Sequence, residues 1–240
     1  MSIHFISDLH LSAGQPALNQ LFLYYLEHQA QDASAIFILG DLFEVWLGDD
    51  MVLPEYQEIL TAIKKRTDSG TPVYIMYGNR DFLMQKQFEQ LTGSHLINDP
   101  TIIDLFGTAT LLMHGDTLCT DDIDYQKFRS MVRNPTWQKE LLNKTPDERL
   151  ALANEYRALS KEATGTKENQ IMDVNQDAVS AVMQQYDVSR LIHGHTHRPA
   201  THHFLIENNE VSRVVLSDWN DCGFVLICNE SGCETQTIKT

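Results

Sequence analysis

The sequence predicts an α/β fold interrupted by a helical insertion. Three observations carry this expectation. Short apolar runs alternate with helix-period segments through the first third, a strandless stretch occupies 121–186, and strand patterning returns from 188 onward. Residues 3–7 form an apolar run ending at Asp8 and His10. Leu18, Leu21, Phe22 and Tyr25 then recur at helical spacing. Residues 35–39 read as a buried strand ending at Gly40-Asp41. Tyr56, Ile59, Leu60 and Ile63 mark a second helix, and 72–77 is a third strand ending at Gly78-Asn79-Arg80-Asp81. This β-α-β-α-β order implies a parallel sheet with crossover helices. Residues 101–105 and 108–114 flank Phe106-Gly107 as a hairpin.

Within 121–186 only helical periods are visible. Tyr125, Phe128, Met131 and Val132 predict a helix that Asn134-Pro135 ends; Trp137, Leu141 and Leu142 predict another. Thr145-Pro146-Asp147-Glu148 combines an N-cap, a first-turn proline and two acids, and opens a third helix through Leu152, Tyr156 and Leu159. Ala178, Val179, Val182 and Met183 give a fourth. Residues 188–193, 204–206, 211–216 and 224–227 read as strands. So large an insertion reads as a lid or subdomain rather than a loop. The expected division is a core of 1–120 and 187–240 with a helical lid of 121–186.

The chain has 240 residues and a formal net charge of -15, which argues against wrapping a nucleic-acid backbone. No apolar run approaches the ~18–20 residues of a membrane span. The first residues lack the basic and apolar regions of a signal peptide, so the expected location is the cytosol. Cys119, Cys222, Cys228 and Cys233 form no CxxC pair, and reduced thiols are expected. Charge is uneven. From Lys127 to Lys167 there are nine Lys or Arg against five acids, while the remainder holds nine bases and 28 acids. That basic stretch reads either as solvated helix faces with i,i+4 pairs or as a face that attracts anions or anionic lipid.

Five short motifs carry the chemistry: Asp8-x-His10, Gly40-Asp41, Gly78-Asn79, His114-Gly115-Asp116, and His193-Gly194-His195-Thr196-His197. Each falls at or just after a predicted strand end, and in an open α/β sheet the carboxyl ends of the strands converge on the crevice where ligands bind. The donors are oxygen and imidazole without thiolate, a mixture that suits manganese, iron or zinc better than calcium. Asp8, His10, Asp41, Asn79, His114, His195 and His197 are too many ligands for one ion and about right for two sharing a carboxylate. Two ions ~3.5–4 Å apart suit phosphoryl transfer. His193 is expected to support the backbone. His4, His28, His95, His202 and His203 fall outside the pattern.

These residues resemble the calcineurin-like metallophosphoesterase superfamily, with its pattern D-x-H, G-D, G-N-[HR], H, G-H-x-H. The resemblance implies an αββα two-sheet sandwich with a two-metal site. Carried over by position, Asp8, His10, Asp41 and His197 hold one ion, and Asp41, Asn79, His114 and His195 the other. Many members have His after Asn; here Arg80 follows Asn79. Arginine cannot release a proton near neutral pH, and a phosphate leaving group with a pKa near ~6 does not require one. Arg80 therefore reads as a fixed charge that grips a diphosphate.

The longer segments SDLHLS, GDLFEVWLGDD, YGNRDFL, LMHGDTLCTDD and HGHTHRP are similar to a narrower family of lipid A diphosphatases that cleave UDP-2,3-diacylglucosamine. That resemblance implies two Mn2+ ions and water attack on the α-phosphate, giving UMP and 2,3-diacylglucosamine 1-phosphate. Asp41, Asn79, Arg80 and His114 become the catalytic set. Asn79, Arg80, Asp122, Tyr125, Arg157, Ser160, Thr164, Lys167 and His195 become substrate contacts, although relatives often carry Asn where Thr164 stands. The partners implied are the glycolipid nucleotide and the cytoplasmic face of the inner membrane, with no nucleic acid and no obligate protein partner. Phe128, Met131, Trp137, Leu141, Leu152 and Tyr156 either pack the lid's own core or, with Trp46 and Phe82, face acyl chains. The competing readings are a broader metallophosphoesterase and a non-catalytic scaffold; the latter is expected to have lost ligands that are all present here.

Overall fold

A computed structural model describes residues 1–166 and 173–239, and the side chains of 160–166 fall outside that description. The parallel heart forms as expected. β1 (Ser2–Ile6), β2 (Ala33–Leu39) and β3 (Val73–Met76) pair in parallel, with α1 (Pro16–Tyr24) and α2 (Gln57–Asp68) as crossovers. α3 (Lys86–Thr92) leads to β4 (His95–Ile97), which extends the same edge. β5 (Thr101–Leu105) and β6 (Thr108–Met113) form the predicted hairpin. Its turn residues Phe106 and Gly107 both have positive φ, 52° and 83°, as a two-residue turn matched to strand twist requires.

Next come α4 (Ile123–Val132), α5 (Pro135–Leu142), α6 (Pro146–Thr166) and α7 (Gln176–Gln185). β7 (Arg190–His193), β8 (Ala200–Ile206), β9 (Asn209–Val215), β10 (Gly223–Asn229) and β11 (Gly232–Ile238) complete the chain. One sheet runs β11-β10-β1-β2-β3-β4 and the other β5-β6-β7-β9-β8.

Strand alternation builds the layers. Ala35, Phe37 and Leu39 of β2 meet Phe5, Leu112 and Ile192 between the sheets. Ile36 and Ile38 turn the other way, onto Leu21, Phe22, Leu60 and Ile63 of the helices. On the second sheet Leu111 and Leu191 pack on Val179 and Met183 of α7. The result is the expected αββα sandwich. α7 lies inside the expected insertion 121–186, yet it packs as the outer layer of the second sheet. α4–α6 are the part that stands apart from the layers. Among the described residues they join the main core: Leu141, with Trp137 and Leu152, belongs to the cluster that holds Trp46.

The expectation of reduced thiols fails for one pair. Cys228 and Cys233 are disulfide-bonded, with Cα atoms 4.0 Å apart, because they face each other in the β10–β11 register. That register was invisible in the sequence, since β11 is a polar edge strand exposed along nearly its whole length.

Candidate active site

The sequence-predicted ligands gather at the carboxyl ends of β1, β2, β3, β6 and β7. Their backbone explains how. Asp8, His10, Asp41, His195 and His197 have φ of 55°, 50°, 53°, 69° and 54°. Non-glycine residues rarely adopt this left-handed conformation, and it costs of order 1–3 kcal/mol each where the surroundings impose it. The chain thus turns sharply as it leaves β1, β2 and β7, and these side chains point into one space.

Asp8 Oδ1 lies 3.4 Å from His197 Nε2, and Oδ2 accepts from the His195 backbone N–H at 2.9 Å. Asp41 Oδ2 stands between two imidazoles, 4.0 Å from His10 Nε2 and 3.9 Å from His114 Nε2. Asn79 Oδ1 is 3.0 Å from His114 Nε2 and 3.1 Å from His195 Nδ1. Asp8, His10 and His197 form one group whose donor atoms lie within 4.8 Å of one another; Asp8, Asp41 and His114 form a second. All seven expected ligands therefore share one site. Gly78 and Gly194 belong to it for closeness rather than for turning. A Cβ on Gly78 would lie 1.9 Å from Asp41 Oδ1, and one on Gly194 would lie 2.3 Å from Asp8 Oδ2.

The donor set fits a divalent cation. Among the described residues the buried Asp8 Oδ1 and His10 Nε2 have no hydrogen-bond partner, so their electron pairs are left unsatisfied. His114 Nδ1 lies 2.9 Å from the Leu39 carbonyl, which can only accept. The ring therefore carries its hydrogen there and turns Nε2 toward the site. Electrostatics agree. Burial alone would lower the His114 pKa, but Asp41, Asp116 and Asp8 outweigh it and raise it to about 9. A pocket that favours a proton so strongly favours a cation in its place. Burial, with the His114 charge, pushes His195 down to about 3.

Several residues that set this geometry were not singled out in the sequence. Asp81 is fully buried; its Oδ1 accepts from Gly78 N–H at 2.8 Å and its Oδ2 from Leu42 N–H at 2.8 Å, tying the Asn79 and Asp41 loops together. Burial, reinforced by Asp41, raises its pKa to about 6. His193 is the expected support: Arg213 Nη1 donates to its Nε2 at 3.1 Å, and its Nδ1 donates to the Gly194 carbonyl at 2.9 Å. Glu44 stands 3.1 Å from His10 Nδ1, 3.3 Å from Arg157 Nε and 3.7 Å from Arg80 Nη1. The motif GDLFEVW contained it, but nothing in its spacing marked it.

The expected substrate contacts fall in different places. Asp122 caps α4, accepting from the Tyr125 backbone N–H at 3.0 Å. The Tyr125 hydroxyl donates to Asp116 Oδ2 at 2.9 Å, and its ring centroid lies 5.6 Å from that of His195. Arg157 Nη2 donates to the Glu44 carbonyl at 3.2 Å, bringing α6 to the rim of the ligand cluster. Ser160 and Thr164 lie on α6 with side chains outside the described residues, and Lys167 lies outside them altogether. A cavity of about 120 Å3 is lined by Asn79, Arg80 and Arg157 together with Phe82, Trp137 and Leu152. Trp46, Phe128, Leu141 and Tyr156 also line it. Met131 does not; it is 40% exposed on the outer side of α4.

The family model for calcineurin-like phosphoesterases matches residues 1–199, and the chain belongs to that family. Within it, similar proteins share one name. The chain is 45% identical to the UDP-2,3-diacylglucosamine hydrolase of Chromohalobacter salexigens over 219 residues, covering 91% of this chain and 89% of that protein. It is 47% identical to the UDP-2,3-diacylglucosamine hydrolase of Escherichia coli O7:K1 over 223 residues, covering 93% of each. The corresponding protein of Pseudomonas fluorescens is 45% identical over 227 residues, 95% of this chain and 91% of the other. An archaeal phosphodiesterase of known structure shares the fold, with a TM-score of 0.51 at 13% identity over 99% of both chains.

Proposed function

We propose that the protein hydrolyses the diphosphate of UDP-2,3-diacylglucosamine by water attack on the α-phosphate, releasing UMP and 2,3-diacylglucosamine 1-phosphate. The observation that carries this reading is the amphiphilic cavity. Its lining joins the candidate ligand Asn79 and the cations Arg80 and Arg157 to the apolar Phe82, Trp137, Leu141 and Leu152. A diphosphate joined to acyl chains combines the same two chemistries. The names of the relatives point to that substrate.

In this reading Asp8, His10, Asp41 and His197 hold one Mn2+, and Asp41, Asn79, His114 and His195 hold a second. Bound there, the ions neutralise phosphoryl oxygens and lower the pKa of water. Arg80 grips the diphosphate as a fixed charge. Arg157 and Lys167 are the cations suited to the sugar phosphate. Asp122, Tyr125, Ser160 and Thr164 contact the glucosamine, and α4–α6 act as the lid. At about 120 Å3 the cavity is smaller than the ~300–1,000 Å3 of ordinary ligand pockets, so seating the chains calls for α4–α6 to spread. The protein meets its substrate as a peripheral visitor to the cytoplasmic face of the inner membrane.

The test is turnover of UDP-2,3-diacylglucosamine in oxygen-18 water, with products read by mass spectrometry. Label appears in UMP; label in the sugar phosphate would contradict attack on the α-phosphate. Chelation abolishes turnover and Mn2+ restores it. Arg80→Ala lowers hydrolysis of the diphosphate about 100-fold, the scale of a lost charge-assisted contact in the transition state. It lowers hydrolysis of an aryl phosphomonoester far less.

A further inference from the structure

Glu44 touches both halves of the site. Its Oε2 lies 3.1 Å from His10 Nδ1, on the side of the imidazole away from the ligand cluster. Its Oε1 lies 3.3 Å from Arg157 Nε and 3.7 Å from Arg80 Nη1. Its main-chain carbonyl accepts from Arg157 Nη2 at 3.2 Å. Three elements meet on this one residue: the β1 end through His10, the β3 end through Arg80, and α6 through Arg157. Neither His10 nitrogen makes a full hydrogen bond among the described residues, and the Glu44 carboxylate is the acidic group beside Nδ1, in ion-pair contact at 3.1 Å. Glu44 is thus the group placed to hold hydrogen on Nδ1 and leave the Nε2 electron pair facing Asp41.

We propose that Glu44 is a positioning residue that sets the His10 ring through one oxygen and spaces the Arg80 and Arg157 guanidiniums through the other. The inference rests on the functional reading above for its substrate arm alone. A carboxylate behind a ligating imidazole orients the ring and raises its basicity, and losing such a partner typically costs 10–100-fold in metal affinity or activity. Two guanidiniums about one carboxylate oxygen are held at a separation they would not keep by themselves, since like charges repel. An incoming diphosphate meets two donors already spread to receive it, and less ordering is required when it binds.

The experiment uses the full chain as Glu44→Ala, Glu44→Gln and Glu44→Asp, each checked by circular dichroism at the assay temperature. Metal-stripped protein is titrated calorimetrically with MnCl2, and kinetics are measured at saturating Mn2+ on UDP-2,3-diacylglucosamine and on bis(p-nitrophenyl) phosphate. Glu44→Ala weakens Mn2+ binding about tenfold or more. At saturating Mn2+ its KM for the lipid substrate stays raised about tenfold while kcat/KM on the aryl ester returns to within about twofold. Glu44→Gln keeps an acceptor for His10, so its Mn2+ affinity stays nearer the native one while the KM effect persists. Adding Glu44→Ala to Arg157→Ala raises KM less than it does in the native background. Mn2+ affinity within about twofold of native in Glu44→Ala overturns the His10 arm. An unchanged or lower KM overturns the arginine arm, showing a carboxylate that merely competes with phosphate. Failure of the native protein to cleave the lipid would sink the functional reading, and the Mn2+ titration would still decide the role of Glu44 beside His10.

Discussion

Among the described residues neither carboxylate oxygen of Asp99 accepts a hydrogen bond, and both are shut from solvent. Burial, with Asp116 adding to it, raises the pKa from 3.8 to about 6. The sign follows from proton counting. The folded form keeps this proton up to about pH 6, and the unfolded chain loses it near 3.8. Between those values folding takes up a proton, so the contribution of Asp99 to stability declines as pH rises through the window. Above pH 6 the full penalty stands, at most about 3 kcal/mol. In Asp99→Asn this slope disappears. The stability difference from the native protein, read from urea midpoints, is expected to grow from pH 4 to 6 and level off by 7. Profiles running parallel from pH 4 to 8 would refute it. A buried amide without partners also costs something, but that cost does not vary with pH.

At the scale of elements, two rows of contacts fasten α4 and α6. On α4, Tyr125 and Arg129 reach Asp116 Oδ2 at 2.9 and 2.7 Å, and Arg133 Nη2 donates to the Gly78 carbonyl at 2.7 Å. Their spacing of four residues places them on one face. At the start of α6, Arg149 donates from Nη1 to Asp50 Oδ1 at 2.6 Å and the Leu47 carbonyl at 3.0 Å. Its Nη2 reaches Asp50 Oδ2 at 2.8 Å, and its Nε reaches the Lys144 carbonyl at 3.0 Å. Arg149 is only 4% exposed. Arg149→Met removes this fork and leaves buried carbonyls unpaired, an expected loss of about 2–4 kcal/mol. Amide exchange is expected to quicken in α5 and α6 while β1–β3 keep their protection. Uniform quickening would mean that α5 and α6 are no separable unit. The helices themselves were readable: Thr145 and Glu148 exchange hydrogen bonds as a capping box, and the apolar periods matched. Arg149 was not readable, because in sequence it is one base among nine, and only the fold brings it to Asp50. α3 was hidden for the same reason. It has seven residues, and its first turn is held by Asp49, which accepts from Gln85 and Phe88 N–H groups.

For the whole molecule, the convergence of strand ends was legible because topology alone dictates it in a parallel sheet. The left-handed backbone at Asp8, Asp41 and His197 was not, since no local propensity asks for it. Charge distribution was legible as a sum and misleading as a surface. Four of the nine bases in the 127–167 stretch, Arg129, Arg133, Arg149 and Arg157, are turned inward on Asp116, Gly78, Asp50 and Glu44. Among the described residues Lys127, Lys139 and Lys144 remain exposed on α4, α5 and the turn after it. Beside them lie exposed apolar side chains, with Ile123 at 62% and Leu159 at 54%. No helix of the described residues is long and apolar enough to cross a membrane. Attraction to anionic lipid at ~1 kcal/mol per base then comes to roughly 3 kcal/mol, opposed by the net charge of -15. Membrane contact is therefore expected to be weak, reversible and sensitive to salt. In flotation with phosphatidylglycerol vesicles, protein should rise with the lipid at 20 mM salt and stay behind at about 300 mM, where the screening length is below ~8 Å. Reversing Lys127, Lys139 and Lys144 to Glu should abolish flotation while hydrolysis of detergent-dispersed substrate continues, because none of the three touches the ligand cluster or the cavity. Flotation that survives both salt and charge reversal would assign the contact to Ile123, Leu159 and their apolar neighbours instead.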